Sequence, residues 1–329
     1  YQPVGVVAAI LTWNFPLLNL AYKLAPALAS GCSSVMSISA RTPLASMRVA
    51  ELIHKVGFPK GTVNFLSGRG RVIIPALAKS QIPRLLTMIG STLAGKKLIE
   101  NSSTSVKRFS LELGGDAPVL VFADAELDVA VADIVGLKLA NAGQICVAPN
   151  RVFVHASIYE SFLEKAKVLM ESYRYIGETG KGPELSPVCT ESSVEKMVNF
   201  CKPENHGGTV VTGGNRADRP GYFLEPTLIR DVDRESKLTC EEIFGPILPV
   251  MSFGSEEDIF AIANDTAYGL SAYVYTKNLN CALEAEKRLL FGNILINEAH
   301  YSVQLPHGGL KQSGSGKDVS RIALDDYYD

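Results

Sequence analysis

The chain has 329 residues, enough for two ordinary domains, with 47% apolar and 20% charged side chains and a formal net charge of -2. That balance excludes the basic footprint of a nucleic-acid binder and the acidic tail of a solvating segment, so no nucleic-acid partner is expected and small-molecule chemistry is favoured. The longest apolar stretch, Val4 to Trp13, is too short to span a bilayer, so no membrane partner is expected either.

Taken in chain order, Val4–Ile10 reads as a buried strand, Pro16–Ala29 as a helix, Ser33–Ile38 as a strand and Pro43–Val56 as a helix. A third strand begins at Val63–Leu66 and a fourth runs over Arg84–Ile89, with a helix from about Leu93. Most of these strands are apolar throughout, as in a parallel sheet covered on both faces. A second α/β unit begins near Gly115, with a strand at Pro118–Phe122, a helix over Glu126–Ala142, a strand at Arg151–His155 and a helix over Ile158–Tyr173. Tyr175–Pro187, rich in Gly, Pro and Glu, reads as a surface loop. Later strands fit Gly208–Val211, Ile247–Phe253, Ala272–Tyr275 and Gly292–Ile296. Tyr1 lies inside an apolar pattern and Asp329 ends abruptly, which reads as a fragment of a longer chain.

Six cysteines and five histidines lack metal-site or redox-motif spacing, so no metal is expected, and the scattered thiols fit a reducing, cytoplasmic compartment. Cys146 stands apart, in Asn141-Ala-Gly-Gln-Ile-Cys146-Val between a helix end and a strand. Gly143 admits close backbone approach, and neighbouring N–H groups suit a thiolate, but a buried inert cysteine in a turn fits the local sequence as well. A thiol nucleophile needs a base. Glu112, between apolar neighbours at a strand end in Leu111-Glu-Leu-Gly-Gly115, could serve if burial raises its pKa, or it could be a solvated loop carboxylate. Asn14, in Trp13-Asn-Phe-Pro16, follows the first strand and suits either an oxyanion donor or a helix cap. Gly90-Ser-Thr-Leu-Ala-Gly95 opens a helix after a strand, as a pyrophosphate site does, and as a simple capped turn also does. Gly68-Arg-Gly70 carries a weaker version of the same signal.

Together these motifs resemble the aldehyde dehydrogenase superfamily. The matches run in order: Pro3-Val-Gly-Val-Val, Trp13-Asn-Phe-Pro16, Lys23-Leu-Ala-Pro-Ala-Leu, Gly57-Phe-Pro, Gly90-Ser-Thr92, Leu111-Glu-Leu-Gly-Gly115 and Gly143-Gln-Ile-Cys146. They continue through Glu241-Glu-Ile-Phe-Gly-Pro246, Asn264 with Tyr268-Gly-Leu270, and Pro306-His-Gly-Gly-Leu-Lys-Gln-Ser-Gly314. The resemblance implies a Rossmann-like parallel-sheet cofactor domain over 1–114, a second α/β catalytic domain over 115–313 and a C-terminal return over 314–329. It implies oxidation of an aldehyde to an acid with NAD, or NADP, in a homo-oligomer. Cys146 would then attack the carbonyl, Asn14 and the Cys146 N–H would stabilise the oxyanion, Glu112 would activate water, and Lys23 would support the base. Trp13, Gly68, Gly90, Ser91, Leu113, Glu242 and Phe244 would bind the dinucleotide, Glu242 at the ribose, Phe244 near the nicotinamide and Ser91 at the pyrophosphate.

Three features depart from the family pattern. Ser37 stands where the family carries a lysine and Ala40 where NAD users often carry a glutamate, which removes grips on the adenosine ribose; Arg41 and Arg69 are candidates to compensate. The chain is shorter than family members. The Pro306-to-Gly314 motif with Gly316-Lys-Asp resembles the amino-aldehyde branch, yet Ile145 and Val147 flank Cys146 and favour a small aliphatic aldehyde or a semialdehyde. A coenzyme-A-acylating enzyme, which has no use for Glu112 as a water-activating base, and a non-catalytic or cofactor-impaired relative are the alternatives.

Overall fold

The computed structural model describes residues 1–329. The chain forms two compact units, one from Tyr1–Gly114 with Tyr301–Asp329 and the other from Gly115–His300. The return to the first unit begins at Tyr301 rather than at 314, because the segment carrying His307 pairs with the residues around Asp318 and packs within the first unit.

The first unit alternates β1 (Val6–Ile10), α1 (Pro16–Ala29), β2 (Ser33–Ser39), α2 (Pro43–Val56), β3 (Val63–Gly68), α3 (Gly70–Lys79), β4 (Leu85–Ile89), α4 (Thr92–Asn101) and β5 (Arg108–Glu112). Pro16 and Pro43 sit in the first turns of α1 and α2, where a missing N–H costs nothing. Gly57 ends α2 in the left-handed conformation at φ 84°. The strands lie parallel in the order β3-β2-β1-β4-β5, and Gly314–Ser315 adds an antiparallel edge against β5. Successive side chains of a strand point to opposite faces, so Val7, Ala9 and Leu85 pack with Leu20, Leu24 and Met36, while Ala8, Ile10, Leu86 and Met88 pack with Leu98 and Leu111. Both faces are therefore cores, which explains the apolar strands.

The second unit runs β6 (Ala117–Val121), α5 (Leu127–Leu139), β7 (Pro149–His155), α6 (Tyr159–Glu171), the short pair β8 (Arg174–Tyr175) and β9 (Glu184–Leu185), α7 (Glu191–Phe200), β10 (Thr209–Thr212) and β11 (Thr227–Arg230). It continues with α8 (Lys237–Cys240), β12 (Ile247–Phe253), α9 (Ile259–Asn264), β13 (Ser271–Tyr275), α10 (Leu279–Arg288) and β14 (Asn293–Ile296). The sheet order is β10-β11-β12-β7-β6-β13-β14, parallel except for the β10 edge. Leu120, Phe153, Ile229, Met251 and Val274 anchor its core. No helix is long and apolar enough to cross a membrane.

Candidate active site

In the first unit the strand order reverses between β1 and β4, the place where open parallel sheets leave a crevice beyond their carboxyl ends. Trp13 and Asn14 follow β1, Gly68 ends β3, Gly90 and Ser91 follow β4, and Glu112 with Leu113 ends β5. The parallel register brings all seven to one edge of the sheet. The Asn14 side chain accepts from Asn19 Nδ2 at 3.3 Å through Oδ1, which fixes the turn of its amide, and Thr42 Oγ1 donates to the Trp13 carbonyl at 3.1 Å. Ser91 caps α4, its Oγ accepting the Ala94 N–H at 3.3 Å. The capped-turn reading of this segment is thus realised, and a capped helix start can still face an anion.

The same edge tests the implied dinucleotide. Helices α1, α2, α3 and α4 all begin there and none carries an acidic residue in its first turn. Exposed Arg41 and Arg69 stand at the ends of β2 and β3. Positive helix starts and two guanidinium groups without an opposing acid suit a pyrophosphate or phosphate. Ser37, in contrast, is buried on β2 and Ala40 is exposed and apolar, so neither grips a ribose as a lysine or glutamate would.

Glu112 is buried, and its position is built by the chain's return. Gly314 pairs with it across the antiparallel edge, Leu113 N–H donates to the Ser313 carbonyl at 2.9 Å, and Ser313 Oγ donates to the Gly114 carbonyl at 2.7 Å. Gly314 adopts φ 123°, and a Cβ there would fall 1.9 Å from the Leu111 carbonyl oxygen, so only glycine lets the two segments approach. Lys23, fully buried in α1, donates to both carboxylate oxygens of Asp318 at 2.5 and 2.7 Å. Burial pushes the Asp318 carboxyl upward against the pull of Lys23. Lys23 therefore serves Asp318 directly, and His307 is the side chain that lies beside Glu112, at 3.5 Å.

In the second unit α5 stops at Leu139, and Asn141, Ala142 and Gly143 follow with φ of 48°, 53° and 72°. The helix expected through Ala142 thus gives way to a left-handed turn. Such a run is rare for residues with a Cβ and marks a backbone held by its surroundings. Buried Gln144 holds it: Nε2 donates to the Asn141 carbonyl at 2.9 Å and Oε1 accepts the Cys189 N–H at 2.7 Å. Cys146 follows, half-buried, at the amino end of β7. Its carbonyl lies where a Cβ on Gly115 would come within 2.1 Å, so the invading backbone requires glycine at 115. Gly115 N–H also donates to Glu242 Oε1 at 3.1 Å. Phe244 sits at φ 55°, a conformation that a bulky residue adopts only under constraint. The resemblance marked Cys146, Glu242 and Phe244, and the structure gathers the first two around Gly115 and gives the third an unusual backbone.

Behind Gly115 lies a buried polar network. Asp116 takes Arg151 Nε at 2.9 Å, Asn150 Nδ2 at 2.6 Å and Thr266 Oγ1 at 2.8 Å, and Asn150 Oδ1 accepts the Ile243 N–H at 3.2 Å. This network fixes the Glu241–Phe244 loop against the head of β6. Lys138 lies fully buried on α5, its Nζ without a hydrogen-bond partner, and burial lowers its pKa to about 7 against the pull of Asp116 and Glu242. Sequence reasoning missed Lys138, because a lysine near a helix end reads as solvated. It also passed over His307, noted only inside a glycine motif. A separate cavity of about 630 Å³, lined by Phe122, Asp124, His155, Phe253, Thr276 and Arg288 among others, lies at the carboxyl ends of β6, β7, β12 and β13, the sheet edge opposite Cys146.

The aldehyde dehydrogenase family model matches residues 1–329. The chain is 41% identical to the mitochondrial succinate-semialdehyde dehydrogenase of Arabidopsis thaliana over 330 residues, covering all of this chain and 62% of that protein. It is 37% identical to the NADP(+) succinate-semialdehyde dehydrogenase of Escherichia coli, covering all of this chain and 68% of the other. An NAD+ complex of aldehyde dehydrogenase from Bacillus cereus superposes with a TM-score of 0.95 at 35% identity, over all of this chain and 67% of its own. The chain thus spans less than two thirds of the Arabidopsis relative. Matched along its whole length in sequence and in architecture, the chain belongs to the aldehyde dehydrogenase family.

Proposed function

We propose that the protein oxidises an aldehyde to a carboxylic acid through a covalent intermediate on Cys146. The observation that carries this reading is the pinned left-handed turn before Cys146, which spends backbone strain to present one half-buried thiol. A nicotinamide dinucleotide, when bound, supplies the hydride acceptor. The Cys146 thiolate adds to the carbonyl carbon, and the Asn14 amide and the Cys146 N–H stabilise the oxyanion of the thiohemiacetal. Once that carbon is oxidised to the thioester, Glu112 takes a proton from water, hydroxide adds to the carbonyl, and the C–S bond breaks to return the thiolate and release the acid. Lys23, through Asp318, fixes the return segment beside Glu112. Trp13, Gly68, Gly90, Ser91 and Leu113 line the dinucleotide edge, Glu242 holds its ribose and Phe244 packs near its nicotinamide.

NAD is the oxidant in this reading. NADP is the second reading, favoured by exposed Arg41 and Arg69 with no acid at Ala40 to repel a 2′-phosphate. The substrate is a small aliphatic aldehyde or a semialdehyde, in keeping with apolar Ile145 and Val147 and with the relatives' names. The protein is read as a cytoplasmic homo-oligomer, and six free thiols suit a reducing compartment. Light scattering of the purified protein checks the assembly.

Incubation with propanal, butanal or succinic semialdehyde and each dinucleotide, followed in the reduced-nicotinamide absorbance, tests the reading. Cys146→Ser is expected to abolish turnover while dinucleotide affinity stays within about twofold of wild type. Full turnover in that variant would remove Cys146 as the nucleophile. Glu112→Gln is expected to give one burst of reduced dinucleotide and then stall. A rate that rises only when coenzyme A is added would instead favour an acylating enzyme.

A further inference from the structure

This inference rests on the reading of Glu112 as the base. His307 is only 9% exposed, and its backbone is locked to Asp318 in both directions, His307 N–H donating to the Asp318 carbonyl at 2.9 Å and Asp318 N–H to the His307 carbonyl at 2.6 Å. Tyr301 meets the imidazole edge-on, ring centroids 5.5 Å apart at 87°, and fixes the plane of the ring. Nε2 then lies 3.5 Å from Glu112 Oε1. That oxygen and His307 Nδ1 are both shielded from solvent, and neither has a hydrogen-bond partner in the protein. A buried carboxylate oxygen without a donor is costly, and Nε2 is the donor-capable atom placed beside it.

Within the first unit, the charged and titratable groups near the ring include Glu112 on β5, Asp318 on the return segment, Lys23 on α1 and the Tyr301 phenol.

We propose that His307 is the positioning residue of Glu112. Its Nε2–H turns onto Oε1 and holds the carboxylate ionised, which leaves Oε2 as the oxygen that receives the proton of the attacking water. Two variants separate this role from simple packing. His307→Phe keeps a ring of similar size without nitrogens, and His307→Gln keeps a donor. With propanal as substrate, both are expected to reduce the first equivalent of dinucleotide at the wild-type rate. Steady acid release by His307→Phe should fall about tenfold to a hundredfold, as for loss of a hydrogen bond to a charged group, with the acid limb of its pH profile moved to higher pH. His307→Gln should recover most of that loss. A His307→Phe enzyme with the wild-type steady rate and pH profile overturns the proposal.

A second measurement stands apart from turnover. The ring nitrogens of His307, followed by NMR at one neutral pH, are expected to change their chemical shifts in Glu112→Gln, because the Nε2–H no longer meets a carboxylate. Identical shifts overturn the pairing. Full turnover by Cys146→Ser refutes the nucleophile reading instead, and the NMR comparison still decides whether His307 and Glu112 act as a pair.

Discussion

At the residue scale, the first unit concentrates its buried charge around Lys23 and Asp318. Both side chains are sealed from water, so removing one strands the other without a counter-charge. Lys23→Met is expected to destabilise the protein by about 3–5 kcal/mol at neutral pH in urea unfolding, and Lys23→Met with Asp318→Leu to recover most of the loss. Equal stability of the single and double variants would show that the pair is not acting as a unit. The sequence made Cys146, Glu112, Asn14 and Glu242 visible through ordered motifs. It gave His307 no role of its own and left Lys138 unremarked, because their significance comes from buried surroundings and unpaired atoms, which only the folded chain creates.

At the element scale, legibility followed local chemistry. The sequence predicts α1 and α2 with the bounds the structure shows, since a proline opens each and the apolar period is clear. Helix α3 escaped, because Pro75 lies inside it and Gly68-Arg-Gly70 gave only a weak sign of a helix start. The helix drawn through Ala142 stops at Leu139 because Gln144 and the Pro187–Cys189 segment impose the left-handed turn, a tertiary constraint that Ala-Asn-Ala-Gly does not announce. Helices α7 and α10 went unread because their sequence is polar overall, and strand β11 because it has only four residues. The edge at Gly314 was likewise invisible before folding, and it is where β5 is most vulnerable. Gly314→Ala would drive a methyl into the Leu111 carbonyl, costing at least about 2 kcal/mol. The expected result is a lower unfolding midpoint and faster amide exchange at Leu113, whose N–H bonds to the return segment. Unchanged exchange there would show that the edge tolerates the added atom.

At the scale of the whole molecule, stability should depend on pH through Lys138. Its amine titrates near 7 when folded and near 10.5 when unfolded, so between those values the unfolded chain holds one proton more. The free energy of unfolding therefore gains, from this group, up to about 1.4 kcal/mol per pH unit as pH rises above 7, and nothing well below it. Lys138→Met should be the more stable protein below pH 7 and should lack that rise; parallel curves for the two proteins from pH 7 to 9 would rule out a buried amine that titrates there. The path of the chain carries a different consequence. Ser313 reaches Gly114 across 199 positions, and the whole second unit is interposed. A ribosome therefore delivers the whole second unit before the strap beside Glu112 has been made. On the proposed reading, a nascent molecule holds the residue of the nucleophile before the surroundings of its base are complete.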